Sequence, residues 1–244
     1  MLLATLAFSC QIYYDFNGYS LIAIGVSRLF GFQLPDNSNF PYAATSLSDF
    51  WHRWHISLSS WLRDYLYIPL GGNRRGLPIQ IRNLLITMLL GGLWHGAHWT
   101  FVLWGALHGT ALAIERLGAT LLTAKRLSIH AFVSRSGSWA LTQLFVLFCW
   151  IFFRASTFAD AQDVISGIIQ WRGRVPSPEH PVSVPVLLIV LPILCDTFLL
   201  PYARLLKLEQ GLPARYAYVL LALAGLSALM LFKVGLRPFI YFQF

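Results

Sequence analysis

The sequence predicts an all-α, polytopic membrane helical bundle, and three observations lead there. The chain is 57% hydrophobic and only 11% charged, against about 25% charged residues in a soluble domain. Its apolar runs recur at lengths that suit a bilayer, where a crossing helix needs about 20 mostly apolar residues. The run Leu84–Ile114, LLITMLLGGLWHGAHWTFVLWGALHGTALAI, contains no Asp, Glu, Lys or Arg but three histidines, His95, His98 and His108.

The elements follow in order. Leu2 to Phe32 is apolar but interrupted by Asp15, Asn17, Gly18 and Arg28, which predicts a broken or tilted span. Residues 46–69, SLSDFWHRWHISLSSWLRDYLYIP, carry Trp51, Trp54, Leu58, Trp61, Leu62 and Tyr65 at helical steps. This stripe predicts an amphipathic helix lying in the membrane interface, with Ser46 or Ser48 capping its start and Asp49 in its first turn. GGNRRG, Gly71 to Gly76, reads as a tight basic turn. Leu84–Ile114 is long enough to cross once with tilt, or to dip in and turn at Gly91-Gly92. Trp139 to Phe153 is a short aromatic span ending at Arg154. Val182 to Leu200 is kinked at Pro185 and Pro192, with Asp196 near its end, and Tyr216 to Phe232 is the plainest span. The closing PFIYFQF is an aromatic cluster suited to the interface.

No polar linker divides the chain, so residues 1–244 read as one membrane unit with no separate soluble domain. The net charge of +8 does not point to nucleic acid, because the basic residues sit between apolar runs, where Lys and Arg meet lipid headgroups. Every loop is basic, so charge asymmetry does not set the orientation. Cys10, Cys149 and Cys195 each lie in an apolar segment without metal-type spacing and read as buried thiols. The N-terminus has no signal-peptide layout and opens as though inside a span, so further chain is expected ahead of it.

Titratable groups at membrane depth are costly and face a bundle interior or a water-filled path. His95 stands out among them: it follows Trp94, precedes Gly96 and sits near the middle of an uncharged span. An imidazole of ordinary pKa, near 6.5, is largely neutral at working pH and accepts a proton from a hydroxyl. Gly91, Gly92 and Gly96 would let another backbone or a ligand approach closely. His52 and His55 lie three apart on the amphipathic helix, as do His95 and His98 if helical there, so a four-nitrogen metal site is conceivable. The absence of carboxylate or thiolate ligands at suitable spacing, and of an H-E-x-x-H pattern, argues against it. Packing is the reading for His52; for His98 and His108 it stands beside the functional one. Asp15 and Asp196 require partners at depth, with Arg28 and Arg204 the candidates. Arg74 and Arg75 suit either a phosphate-bearing donor or a headgroup anchor.

Three blocks carry a resemblance: DFNGYSLIAIG (Asp15–Gly25), FWHRWHISLSSWLRDYLYIPLGGNRRG (Phe50–Gly76) and LLGGLWHGAHWTFVLWGALHG (Leu89–Gly109), with FIYFQF at the end. Their order resembles the membrane-bound O-acyltransferases, and within them the branch containing the membrane subunit of bacterial alginate O-acetylation. From about 116 to 233 the likeness is in hydropathy only. The resemblance implies transfer of an acetyl group from a thioester donor, acetyl-CoA or a relative of it, to hydroxyls of an exopolysaccharide such as alginate. It implies no bound cofactor, periplasmic acetyl-transfer partner proteins and a multi-pass place in the bacterial inner membrane. The family's invariant histidine maps onto His95 and its second polar position onto His55. Members of the family are about twice this length, so the chain reads as a C-terminal portion of such an enzyme. Two other classes remain open on the residues: a transporter or proton-coupled channel, which Asp15, the histidines and broken helices would suit, and a non-catalytic scaffold of a polysaccharide-export complex.

Overall fold

The computed structural model describes residues 1–124 and 135–170. They hold seven α-helices: α1 (Leu2–Leu29), α2 (Leu47–Arg53), α3 (Ile56–Leu62), α4 (Leu77–His95), α5 (Trp99–Ala124), α6 (Arg135–Arg154) and α7 (Phe158–Ile169). A 3₁₀ turn, Pro41–Ala43, precedes α2, and a π-helical stretch, Arg63–Tyr67, follows α3. The only extended pairing among the described residues is a single antiparallel bridge between Ser38 and Trp54. The fold is all-α, as the composition predicts. The expected spans at Val182–Leu200 and Tyr216–Phe232, the aromatic tail, Cys195, Asp196 and Arg204 lie outside the described residues.

Two described helices, α4 and α6, are long and apolar enough to cross a membrane. At 1.5 Å per residue, the 19 residues of α4 extend about 28 Å, close to the thickness of a hydrocarbon core. α6 covers the expected aromatic span and ends at Arg154, as read from the sequence.

The structure departs from the expected elements in four places. α1 is one unbroken helix, because Asn17 and Gly18 sit in its interior without disturbing it. Asp15 has Gln11, one turn earlier, as its hydrogen-bond partner. Arg28 lies thirteen positions further along the same helix, about 20 Å away, and cannot be that partner. The Leu84–Ile114 run is a helical hairpin. α4 stops at His95, Gly96 to His98 make the turn, and α5 returns alongside, so the reversal falls after Gly96 and Gly91-Gly92 remain helical. The amphipathic segment is two short helices meeting at Trp54-His55, and its stripe divides: Trp54, Leu58 and Leu62 are buried, while Trp61 and Tyr65 are exposed. Finally, Phe158–Ile169 is a helix in the stretch that the sequence leaves between two apolar runs. Its start is a reciprocal capping box: Asp160 N–H donates to Thr157 Oγ1 at 3.1 Å, and Thr157 N–H donates to Asp160 Oδ2 at 3.0 Å.

The core is aromatic. Phe8, Tyr13 and Phe16 of α1 meet Tyr42, Phe50 and Trp54 on one side and Trp104, Trp150 and Phe153 on the other. Polar side chains tie the segment before α2 into this core. Tyr42 Oη donates to the Ser9 carbonyl at 2.7 Å, Trp139 Nε1 to the Tyr42 carbonyl at 2.8 Å, and Gln143 Nε2 to the Ala44 carbonyl at 2.9 Å. Glu115 of α5 accepts from the Leu47 N–H at 2.9 Å, placing a carboxylate at the N-terminus of α2, where the helix dipole favours it.

α4 and α5 form the most extensive helix pair, and their close approach depends on small residues. A Cβ at Gly92 would collide with the Phe101 carbonyl oxygen, and one at Gly105 with the Met88 carbonyl oxygen. Neither obstacle is a movable side-chain end, so added volume must push the helices apart. Gly92→Ala and Gly105→Ala are each expected to destabilise the protein by about 1–3 kcal/mol, typical of overpacking. Gly18→Ala, with nothing within 4 Å of its new Cβ, should be neutral or better. Thermal unfolding of the three variants in detergent checks this ordering.

Candidate functional site

His95 ends α4, and three elements surround its ring. Trp104 of α5 lies 5.3 Å away between centroids, Phe153 of α6 lies 5.0 Å away, and Trp94 lies 5.0 Å away, all three edge-on. The ring is half-buried. Its place at the tip of a hairpin corrects the mid-span position expected from the sequence; the reason is the chain reversal at Gly96.

His55 approaches from another direction. Its ring lies 4.5 Å from Phe16, near the midpoint of α1, and 5.9 Å from Trp94. The two imidazoles therefore flank Trp94, and they are near enough to act on each other electrostatically. His55 and His95, forty residues apart in sequence, thus both pack against Trp94, and the His55 ring also lies beside Phe16 near the middle of α1.

The local backbone explains how His55 gets there. His55 has φ 44° and ψ 55°, the left-handed region, which costs a side-chain-bearing residue about 1–2 kcal/mol. It also occupies the N-cap position of α3 yet makes no side-chain cap bond. The preceding segment holds this conformation in place. Ile56 N–H donates to the Asn37 carbonyl at 3.0 Å, Ser57 N–H to Asn37 Oδ1 at 3.0 Å, and Asn39 N–H to the Arg53 carbonyl at 2.9 Å. Arg53 is itself held by Asp49 at 2.7 Å. The break directs the His55 ring inward, away from the outer face where His52 stays exposed with its Nδ1 2.6 Å from the Ser48 carbonyl oxygen. The expected common face for His52 and His55 is lost at the break.

Burial of the ring pushes the His55 pKa down to about 4. At neutral pH it is an uncharged imidazole with one N–H and one lone pair, and its buried Nδ1 has no protein partner. A buried polar atom left in this state costs about 1–3 kcal/mol, a cost that a ligand can relieve. The indole nitrogens of Trp104 and Trp150 are likewise buried without a partner.

The other histidines divide as follows. His108 is 1% exposed and accepts at Nδ1 from Trp51 Nε1 at 3.3 Å, within a ring of aromatics. That makes it a packing residue. His98 lies exposed in the hairpin turn, where its backbone carbonyl accepts from the Phe101 N–H at 3.1 Å. Because α4 ends at His95, the two do not share a helical face. No group of three or more His, Cys, Asp or Glu among the described residues is arranged to hold a metal ion. Arg74 and Arg75 lie exposed on the turn after the π-helical stretch. Asn83 fastens that turn to α4, donating from Nδ2 to the carbonyls of Leu70 at 3.2 Å and Gly72 at 3.1 Å.

Between α2–α3 and α4–α5 lies an open cavity of about 630 Å³, a size typical of small-molecule sites. Ser59, Ser60 and Arg63 line one side, and Thr87, Glu115 and Arg116 the other. Trp51 also lines it, and its ring packs 5.7 Å from Trp104, which in turn abuts His95. Trp51 and Trp104 thus lie in line between the cavity and His95, while Ile56 and Ser59, next to His55, line the cavity itself.

A sequence profile of MBOAT, the membrane-bound O-acyltransferase family, matches residues 1–128, the part that holds both histidines. The chain belongs to the membrane-bound O-acyltransferase family. A "probable alginate O-acetylase" of Azotobacter vinelandii is 52% identical to it over 153 residues, covering 63% of this chain and 29% of that protein. A peptidoglycan O-acetyltransferase of Helicobacter pylori is 44% identical over 171 residues, covering 70% of this chain and 32% of its own. A teichoic acid D-alanyltransferase of Bacillus subtilis is 34% identical over 120 residues, covering 46% and 30% respectively. The chain thus spans less than a third of the length of these relatives.

Sequence reasoning singled out His95 and His55 but gave no role to Asn37, Glu115 or Trp94. Asn37 sits in a loop whose composition marks a turn without naming its partner. Glu115 follows directly after the apolar run and is bonded to a helix start 68 residues earlier. Trp94 enters the sequence reading only as the neighbour of His95, yet its ring packs against both imidazoles.

The His55 pKa gives a pH prediction. Between the ordinary histidine value of 6.5 and about 4, the unfolded chain binds a proton that the folded chain refuses. Folding stability therefore falls as the pH drops through that window. Denaturation in detergent across that range should show the fall, and His55→Gln should lessen it.

Proposed function

We propose that the protein is a membrane O-acyltransferase that moves an acetyl group from a thioester donor toward the hydroxyls of an extracytoplasmic polysaccharide. The observation that carries this reading is the convergence of His95 and His55 around Trp94, in a chain of the membrane-bound O-acyltransferase family. Relatives described as acting on alginate, peptidoglycan and teichoic acid support a polymer acceptor and favour acyl transfer over a transporter or a non-catalytic scaffold.

In this mechanism the acceptor O–H gives its proton to a ring nitrogen of His95. The oxygen bonds to the acyl carbon, whose carbonyl electrons move onto its oxygen, and collapse of this oxyanion breaks the C–S bond and expels the thiolate, which takes the proton back from the imidazolium. His55, uncharged and with a buried nitrogen lacking a partner, is placed to steady the oxyanion that forms in between. The buried aromatic wall of Trp104 and Phe153 keeps water from the thioester. The cavity beyond Trp51 suits the donor, with Arg63 and Arg116 near a phosphate-bearing end. The same reading places the protein as a multi-pass component of the inner membrane, with the donor on the cytoplasmic side and periplasmic partner proteins completing delivery to the polymer.

His95→Ala, made in the full-length form, should abolish polymer acetylation while membrane insertion stays intact. General-base loss of this kind typically costs ~10²–10⁴-fold in rate. Ester content of the isolated polymer, compared between wild type and variant, measures it. Unchanged ester content removes His95 from the mechanism, and substrate flux that continues without a thioester donor would favour a transporter instead.

A further inference from the structure

His55 stands where a helix normally requires a capping side chain, and its imidazole does not supply one. Asn, Asp and Ser are the residues that fill this position well. A histidine committed to capping its own helix could not also face Phe16 and Trp94. The missing bond comes from eighteen residues upstream: Asn37 Oδ1 accepts the Ser57 N–H at 3.0 Å and the Ser57 hydroxyl at 2.8 Å. The Asn37 carbonyl accepts the Ile56 N–H at 3.0 Å. Asn37 thus satisfies the first two amide groups of α3, one with its backbone and one with its side chain.

We propose that Asn37 is a positioning residue that caps α3 from outside, holding His55 in its left-handed conformation and releasing the imidazole to the His95 site. The Ser38–Trp54 bridge and the Asn39–Arg53 bond align the two strands of chain, so the cap arrives in register. The side-chain oxygen is the functional part. Aspartate keeps that oxygen and can replace asparagine; alanine cannot. The functional consequence rests on the acyl-transfer reading above, whereas the conformational one does not.

The test has two independent readouts in membranes carrying the full-length protein. The first is modification of His55 by diethylpyrocarbonate, read by mass spectrometry, with exposed His52 as internal control. His55 should be protected in the wild type and in Asn37→Asp, and should react about tenfold faster in Asn37→Ala once the break relaxes. Should Asn37→Ala fail to insert, Asn37→Ser, whose shorter side chain loses the reach, takes its place. The second readout is acetyl transfer. Asn37→Ala should lower kcat about tenfold at unchanged donor KM, Asn37→Asp should restore it, and Asn37→Ala should add no further loss to His55→Gln. Continued protection of His55 in Asn37→Ala overturns the proposal, as does an equal further loss on the His55→Gln background. If the wild type transfers no acetyl group, the functional reading fails, and the modification pattern still decides the role of Asn37.

Discussion

The architecture around the site depends on one break in one helix. Residues 47 to 62 have the periodicity of a continuous amphipathic helix, and a continuous helix would carry His55 on the same face as His52, toward the outside. The left-handed turn at His55 divides it. The conformation is unfavourable for a side-chain-bearing residue, so the surrounding bonds must impose it: the asparagine-rich loop on one side, and on the other Trp54, buried against Phe16, Phe50 and Trp150. Strain kept in place by many partners next to candidate reactive groups is the usual signature of a functional backbone.

A second constraint determines where His95 can be. The glycines of α4 and α5 allow backbone to lie against backbone, so the hairpin closes tightly and its tip falls next to the end of α6. A bulkier seam would displace Trp104, and with it the indole that separates His95 from His108. Apolar side chains cannot drive helices together within lipid as they do in water. Small residues and buried polar bonds do that here, through Gly92 and Gly105 and through Glu115 at the start of α2.

Electrostatically the site is quiet. The two histidines lie among indole and phenyl rings without an adjoining carboxylate among the described residues, unlike triads in which an acidic group orients the base. Orientation falls to aromatic edges and to the backbone. Such a site places the unpartnered Nδ1 of His55 in a low-dielectric surrounding, where charged and polar groups interact most strongly.

Composition and hydropathy determined the helical class and the membrane setting, because desolvating polar groups in lipid leaves few choices. Local pattern also identified α6, the basic turn at Gly71–Gly76 and a cap at Ser46 or Ser48, of which Ser46 accepts the Asp49 N–H at 3.0 Å. The T-x-x-D cap before α7 was legible in principle as well. The residue types and motif order pointed to His95 and His55. Tertiary structure alone decided the hairpin reversal at Gly96, the break at His55 and the meeting of the two imidazoles around Trp94. The first is set by Phe101 across the hairpin from Gly92, and the other two by partners distant in sequence, Asn37 against Ser57 and Phe16 against His55. Periodicity reports how a segment would fold by itself, and these three features exist only because another segment is packed against it.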